Sequence, residues 1–144
     1  MFREGLRPPN PFSEHDPLDA QTQDGVSLRV MSKMTPVLVV CLGSRVSKTM
    51  LREVAEHRRA LEETSMRIAL VHAQEDPHAL FKPHGLEYVA RVADPEYAVH
   101  RALGLAEKRS LLGGTRQLAG VFVLKDGEVA ATLGDAPDYT AIGD

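Results

Sequence analysis

An α/β domain, a mixed sheet with helices on both faces, is the fold class that three patterns in the sequence predict. Val37 to Leu42 is a continuous aliphatic run of strand length, as expected of a strand covered on both sides. Directly after it, Leu51, Val54, Arg58 and Leu61 recur at helical spacing. Further along, Val121 to Leu124 and Glu128 to Leu133 flank Lys125-Asp126-Gly127, which predicts an antiparallel hairpin. With 144 residues, 43% hydrophobic and 26% charged, the chain suits one packed core and is too short for two.

The remaining elements follow in order. Residues 1–20 carry Pro8, Pro9, Pro11 and Pro17 among acidic and small residues, which predicts an extended lead-in to a single domain over 21–144. Asp24-Gly25 is a turn signal. Val26, Leu28 and Val30 then alternate with Ser27 and Arg29, the pattern of a short edge strand or hairpin arm. Gly43-Ser44-Arg45 ends the central strand, and a helix is predicted from about Ser47 to Glu63, with Arg52, Glu53, Glu56 and Arg59 turned to water. Met66 to His72 supplies the next strand. Asp76-Pro77 and Asp94-Pro95 each place a capping carboxylate before a proline at the first helical position, and Gly85 and Gly104 stand near the corresponding ends. Tyr88 to Val92 is a short strand between them. The order is βαβαβαββ, with right-handed parallel crossovers. Gly134 to Asp144 is too aperiodic to predict a helix.

Composition narrows the function. Seventeen Lys and Arg against twenty Asp and Glu give a net charge of −3, which removes the main warrant for a nucleic-acid partner. A single cysteine excludes an internal disulfide, a dithiol centre and a thiolate zinc cluster within one chain. No run approaches the roughly 20 apolar residues of a membrane span, and Met1 to Asn10 has no apolar export region, so a cytoplasmic protein without a membrane partner is expected.

Other polar groups carry weaker signals. His72 with Asp76, and His78 with His84, have metal-binding side chains at a spacing that matches no compact motif, so no metal and no cofactor is predicted. His57 reads as a helix-surface histidine. Gly113-Gly114-Thr115-Arg116 offers amides and a guanidinium that suit an anion, but it lacks the spacing and lysine of a P-loop and reads as a flexible connection.

Taken in sequence, several segments resemble the thioredoxin-like superfamily, most closely its AhpC/TSA-type peroxiredoxin-like branch. These are Asp24-Gly25 before Val26-Ser27-Leu28, the run Val37 to Leu42, the helix Arg52 to Leu61, Asp94-Pro95 with Ala102-Leu103-Gly104-Leu105, and Arg116 to Leu124. The likeness spans about residues 20 to 134 and implies a thioredoxin-like mixed sheet flanked by helices. It also implies a Cys-x-x-Cys pair at the junction of the first core strand and the long helix. Aligned through that helix, the pair falls at Ser47 and Met50, with Lys48-Thr49 between; a one-residue gap moves it to Val46 and Thr49. Neither alignment supplies a thiol. The proline that precedes the penultimate strand in thioredoxin falls at Ala119, where no cis peptide is predicted. An arginine near Arg116 helps polarise peroxide in such relatives, but here it lacks its partner thiol.

A peroxidatic cysteine acts because its thiolate is a strong nucleophile near neutral pH. Ser47 is not ionised there and reads as a helix cap, while Met50 reads as core packing and is unable to resolve a sulfenic acid. Cys41 lies inside the aliphatic run, where burial raises a thiol's pKa. The expectation is a non-catalytic thioredoxin-like domain with a binding or structural role. Its partner is an unknown protein or a small anionic ligand at Ser44, Arg45, Ser47 and Arg116, and a homodimer is open. The alternative is a thiol peroxidase or oxidoreductase using Cys41 or a partner chain's cysteine. A Ser47 hydrolase lacks any oriented histidine–carboxylate pair.

Overall fold

The computed structural model describes residues 16–109 and 111–132. In chain order they form helix α1 (Leu28–Met34), strand β1 (Val37–Cys41), helix α2 (Lys48–Glu62), strand β2 (Arg67–His72) and helix α3 (Pro77–Phe81). There follow β3 (Ala90–Ala93), α4 (Ala98–Ala102), β4 (Glu107–Arg109), β5 (Thr115–Gln117), β6 (Gly120–Lys125) and β7 (Glu128–Thr132).

All five residues of β1 are buried because it is the middle strand of a five-stranded sheet ordered β3-β2-β1-β6-β7. The two βαβ crossovers make β2 and β3 parallel to β1, and β6 runs antiparallel against its other side. Alternation along β1 divides the core. Val37, Val39 and Cys41 face Leu28 and Met31 of α1 and Val99 of α4; Leu38 and Val40 face Leu51 and Val54 of α2 and Phe81 of α3. Helices therefore cover both faces, and an uninterrupted aliphatic run is what such a strand requires. The terminal hairpin turns on Asp126 and Gly127, both at positive φ. Helix α1 holds that turn, since Ser32 Oγ accepts from the Gly127 N–H at 2.9 Å and Arg29 donates to the Gly127 carbonyl at 2.8 Å.

Several expectations need correction. Residues 26–30 are not a strand. Ser27 Oγ accepts from the Val30 N–H at 3.1 Å and starts α1, which buries Leu28, Met31 and Ser32 at helical spacing. Only an isolated bridge between Gln21 and Ser27 remains of the hairpin arm. Residues 16–20 are not a loose lead-in either: Pro17–Asp19 forms a 3-10 turn whose Leu18 sits in the core. Asp76 caps α3 as expected, with Pro77 at its first position, but Pro95 does not begin α4. The chain first turns through Tyr97 at φ 58°, and α4 starts at Ala98. The strand expected from Tyr88 starts at Ala90, leaving Tyr88 exposed. Thr115 and Arg116 lie in β5, which pairs with β4 in a small second sheet that the predicted order lacks. The predicted boundaries of β1, α2, β2 and the β6–β7 hairpin agree with the structure to within about two residues. Residues 1–15 and 134–144, on which the rest of the lead-in and the irregular tail fall, lie outside the described residues.

Candidate functional site

In parallel α/β sheets the C-terminal strand ends gather the loops that carry chemistry. Here those ends bring together Cys41 of β1, His72 of β2, Asp94 just after β3, and His100 of α4.

Asp94 and His100 form a buried pair, with side chains 4% and 0% exposed. The turn through Tyr97 aims the start of α4 back at the Asp94 carboxylate, which accepts from the Val99 N–H at 3.1 Å, the His100 N–H at 3.0 Å and His100 Nδ1 at 2.8 Å. The other ring nitrogen, Nε2, accepts from the Gly43 N–H at 3.0 Å. Nε2 is therefore the unprotonated nitrogen, and Nδ1–H points at the carboxylate. Burial alone would raise the Asp94 carboxyl, but the hydrogen bonds from His100 and from the two backbone amides hold it below the ordinary range. The Tyr97 ring meets His100 edge-on at 5.2 Å. Oriented this way, the histidine positions the backbone of the β1–α2 loop, and both its nitrogens are occupied.

Gly43 is where this network meets the rest of the loop. It lies at φ 70°, and a Cβ there would stand 2.8 Å from the Gln117 carbonyl oxygen and 2.9 Å from the Ala119 nitrogen. Only glycine fits such a close backbone approach at that angle. Ser44 completes the seam. Its N–H donates to the Gln117 carbonyl at 3.0 Å, and its Oγ accepts from the Gln117 N–H at 3.0 Å.

Cys41 is fully buried in the β1 face packed against α1 and α4. Burial, seconded by the nearby Asp94 carboxylate, pushes its thiol well above the usual range. Ser47 is the N-cap of α2, its Oγ accepting from the Met50 N–H at 3.1 Å, and Met50 packs half-buried against the α2-side core. Arg45 and Ser47 are exposed and Arg116 is half-buried. The Ser44–Gln117 seam makes the 43–47 loop and the strand carrying Arg116 neighbours. Among the described residues no group of three or more His, Cys, Asp or Glu side chains is placed to hold a metal ion. His72 Nδ1 and the Asp76 carboxylate are engaged separately, by the Gln74 N–H and by the α3 cap.

The topology decides the fold. It is a thioredoxin-like fold. Peroxiredoxin Q of Xanthomonas campestris superposes with a TM-score of 0.68 at 16% identity, over 96% of this chain and 90% of its own. BcpB, a peroxidoxin of Mycobacterium tuberculosis, gives 0.64 at 18% identity over 85% and 84%. Peroxiredoxin 6 of Arenicola marina gives 0.64 at 13% identity over 86% and 66%. No protein-family model and no curated protein matches the chain. This thioredoxin-like domain has one cysteine in its whole sequence, so a single chain cannot form the intramolecular disulfide on which a two-cysteine cycle depends. None of its described helices is long and apolar enough to cross a membrane.

Sequence reasoning missed His100 and the role of Gly43. The usable signal for His100 was its position between Val99 and Ala102 on a short apolar helix, six residues after a capping aspartate. In the sequence Gly43 marks only the end of a strand.

Proposed function

We propose that the chain is a redox-inert thioredoxin-like domain that acts by binding and not by thiol chemistry. The observation that carries this reading is the placement of its only thiol. Cys41 is fully buried on β1, six positions before the N-cap of the helix where the family resemblance expects a redox pair. In this reading Ser47 and Met50 occupy the redox positions, one as a cap and the other as packing. Arg45 and Arg116, brought to neighbouring segments by the Ser44–Gln117 seam, offer positive charge to an anionic ligand or an acidic partner segment. We place the domain in the cytoplasm, where a lone buried thiol stays reduced. Pairing with a second copy is compatible with this role.

The test is peroxide turnover. A peroxidatic thiolate attacks the terminal peroxide oxygen, forming an S–O bond and breaking O–O with loss of alcohol or water, and a dithiol then returns the sulfenic acid to thiol. Purified wild type, Cys41→Ala and Ser47→Cys are assayed for steady-state hydroperoxide consumption with a dithiol donor. Wild type and Cys41→Ala are expected to match. Ser47→Cys is expected to gain slow turnover that depends on added thiol, because Met50 provides no resolving sulfur. Robust wild-type turnover abolished by Cys41→Ala would overturn the reading and establish a relocated thiol enzyme.

A further inference from the structure

A second site lies beside the same strand ends, on the α2/α3 face of the sheet, opposite the face that holds Cys41. The geometry points to the cavity between the ends of β2 and β3 as a binding site for a small organic carboxylate, with His72 and Arg91 as its polar anchors. The cavity has a volume of about 350 Å³, near the lower end of the ~300–1,000 Å³ usual for small-molecule sites. His72 and Arg91 line it with Gln21, Gln74, Glu75 and Pro77 among others.

His72 supplies the strongest reason to expect a ligand. It is only 3% exposed, yet its ring makes one hydrogen bond among the described residues: Nδ1 accepts from the Gln74 N–H at 3.1 Å. That bond assigns the ring proton to Nε2, leaving a donor without a protein partner in a residue that lines the cavity. Phe81 fixes the ring from the side, edge-on at 5.5 Å. Burial, followed by the Arg91 cation, lowers the His72 pKa, so the imidazole is neutral at physiological pH.

Arg91 supplies the charge. Its guanidinium donates one nitrogen to the Glu87 carbonyl and makes no ion pair among the described residues, so further N–H groups remain for a ligand. Gln23 anchors the strand beneath it: the Gln23 side-chain oxygen accepts from the Arg91 N–H at 2.6 Å, and the Gln23 N–H donates to the Arg91 carbonyl at 3.1 Å. A neutral imidazole donor and one guanidinium suit a single carboxylate. A phosphate dianion would bring a second negative charge toward Glu75, the carboxylate of the same lining. This inference does not rest on the redox-inert reading and holds whether or not the chain turns over peroxide.

The experiment titrates the full chain, labelled for amide and imidazole NMR, with propionate and butyrate. Inorganic phosphate and sodium chloride at matched ionic strength are the comparisons. Saturable shifts are expected at the His72 ring and the Gln74 and Ala93 amides with the carboxylates. Arg91→Gln and His72→Phe are each expected to weaken the affinity about tenfold or more, and Arg91→Lys to recover part of it. The amide spectra of the variants report whether each retains the fold. Carboxylate shifts no larger than those from chloride, equal affinity in folded Arg91→Gln, or tighter binding of phosphate would overturn the assignment.

Discussion

Replacing Asp94 with asparagine removes a charge while keeping the side-chain shape, and the structure sets the cost. The carboxylate accepts three N–H bonds in a buried site, from Val99, from His100 and from the His100 ring. Asparagine keeps one acceptor oxygen and turns an NH2 toward donors that need acceptors. Hydrogen bonds to a charged group contribute about 1.5–3 kcal/mol each, and a buried donor left unpaired costs about 1–3 kcal/mol more. We expect a loss of about 3–5 kcal/mol at pH 7, a fall in Tm on the order of 10–20 °C for a domain of this size. The pH dependence carries the sign of a depressed carboxyl. Asp94 ionises in the unfolded chain at the ordinary aspartate value and at lower pH in the native state. Its contribution is therefore present above the unfolded value and lost as pH falls through the folded one, where the unfolded chain takes up the proton first. Urea unfolding at pH 7 and in steps down to pH 3 should show wild type losing stability more steeply on acidification than Asp94→Asn. A variant within about 1 kcal/mol of wild type at pH 7, or an identical acid slope, would refute a buried, ionised Asp94 carboxylate.

Gly43→Ala should destabilise the fold by at least about 2 kcal/mol, from a left-handed alanine and the Cβ–carbonyl clash at Gln117, read from the urea midpoint; a change below about 0.5 kcal/mol would mean that the seam is loose. Cys41 should react slowly with a neutral thiol reagent in the native protein and readily after unfolding, and Cys41→Ala should cost about 1–2 kcal/mol. Equal labelling rates in both states would contradict its burial.

The central strand, the long helix, the second strand and the last hairpin were legible because each depends on a pattern held within one segment. Cys41 and Ser47 were legible for the same reason, through an apolar neighbourhood and a capping position. Where two local patterns competed, the outcome depended on packing. Val26, Leu28 and Val30 alternate as a strand would, yet Leu28, Met31 and Ser32 also repeat as a helix, and the Ser27 cap together with the core decided for the helix. At Asp94 the sequence showed a capping carboxylate but not the turn through Tyr97 that aims three donors at it. The seam of Gly43 and Ser44 with Gln117 joins residues more than seventy positions apart, and the His72 cavity needs β2, β3 and Gln21–Gln23 together. No local periodicity encodes such meetings.

The place of β1 in the sheet has a consequence for synthesis. Its parallel neighbour β2 follows through a single helix, but its other neighbour, β6, comes from about eighty positions further along the chain. A nascent chain therefore presents β1 through β3 with one flank of Val37–Cys41 unpaired until β6 has emerged. An aliphatic strand with an open flank is a template for pairing with the wrong chain. The hairpin that closes that flank is also the one whose turn is gripped by Arg29 and Ser32 of α1. Helix α1 and the β6–β7 hairpin, made far apart in time, thus secure one another, and a chain truncated before β6 would be exposed to aggregation.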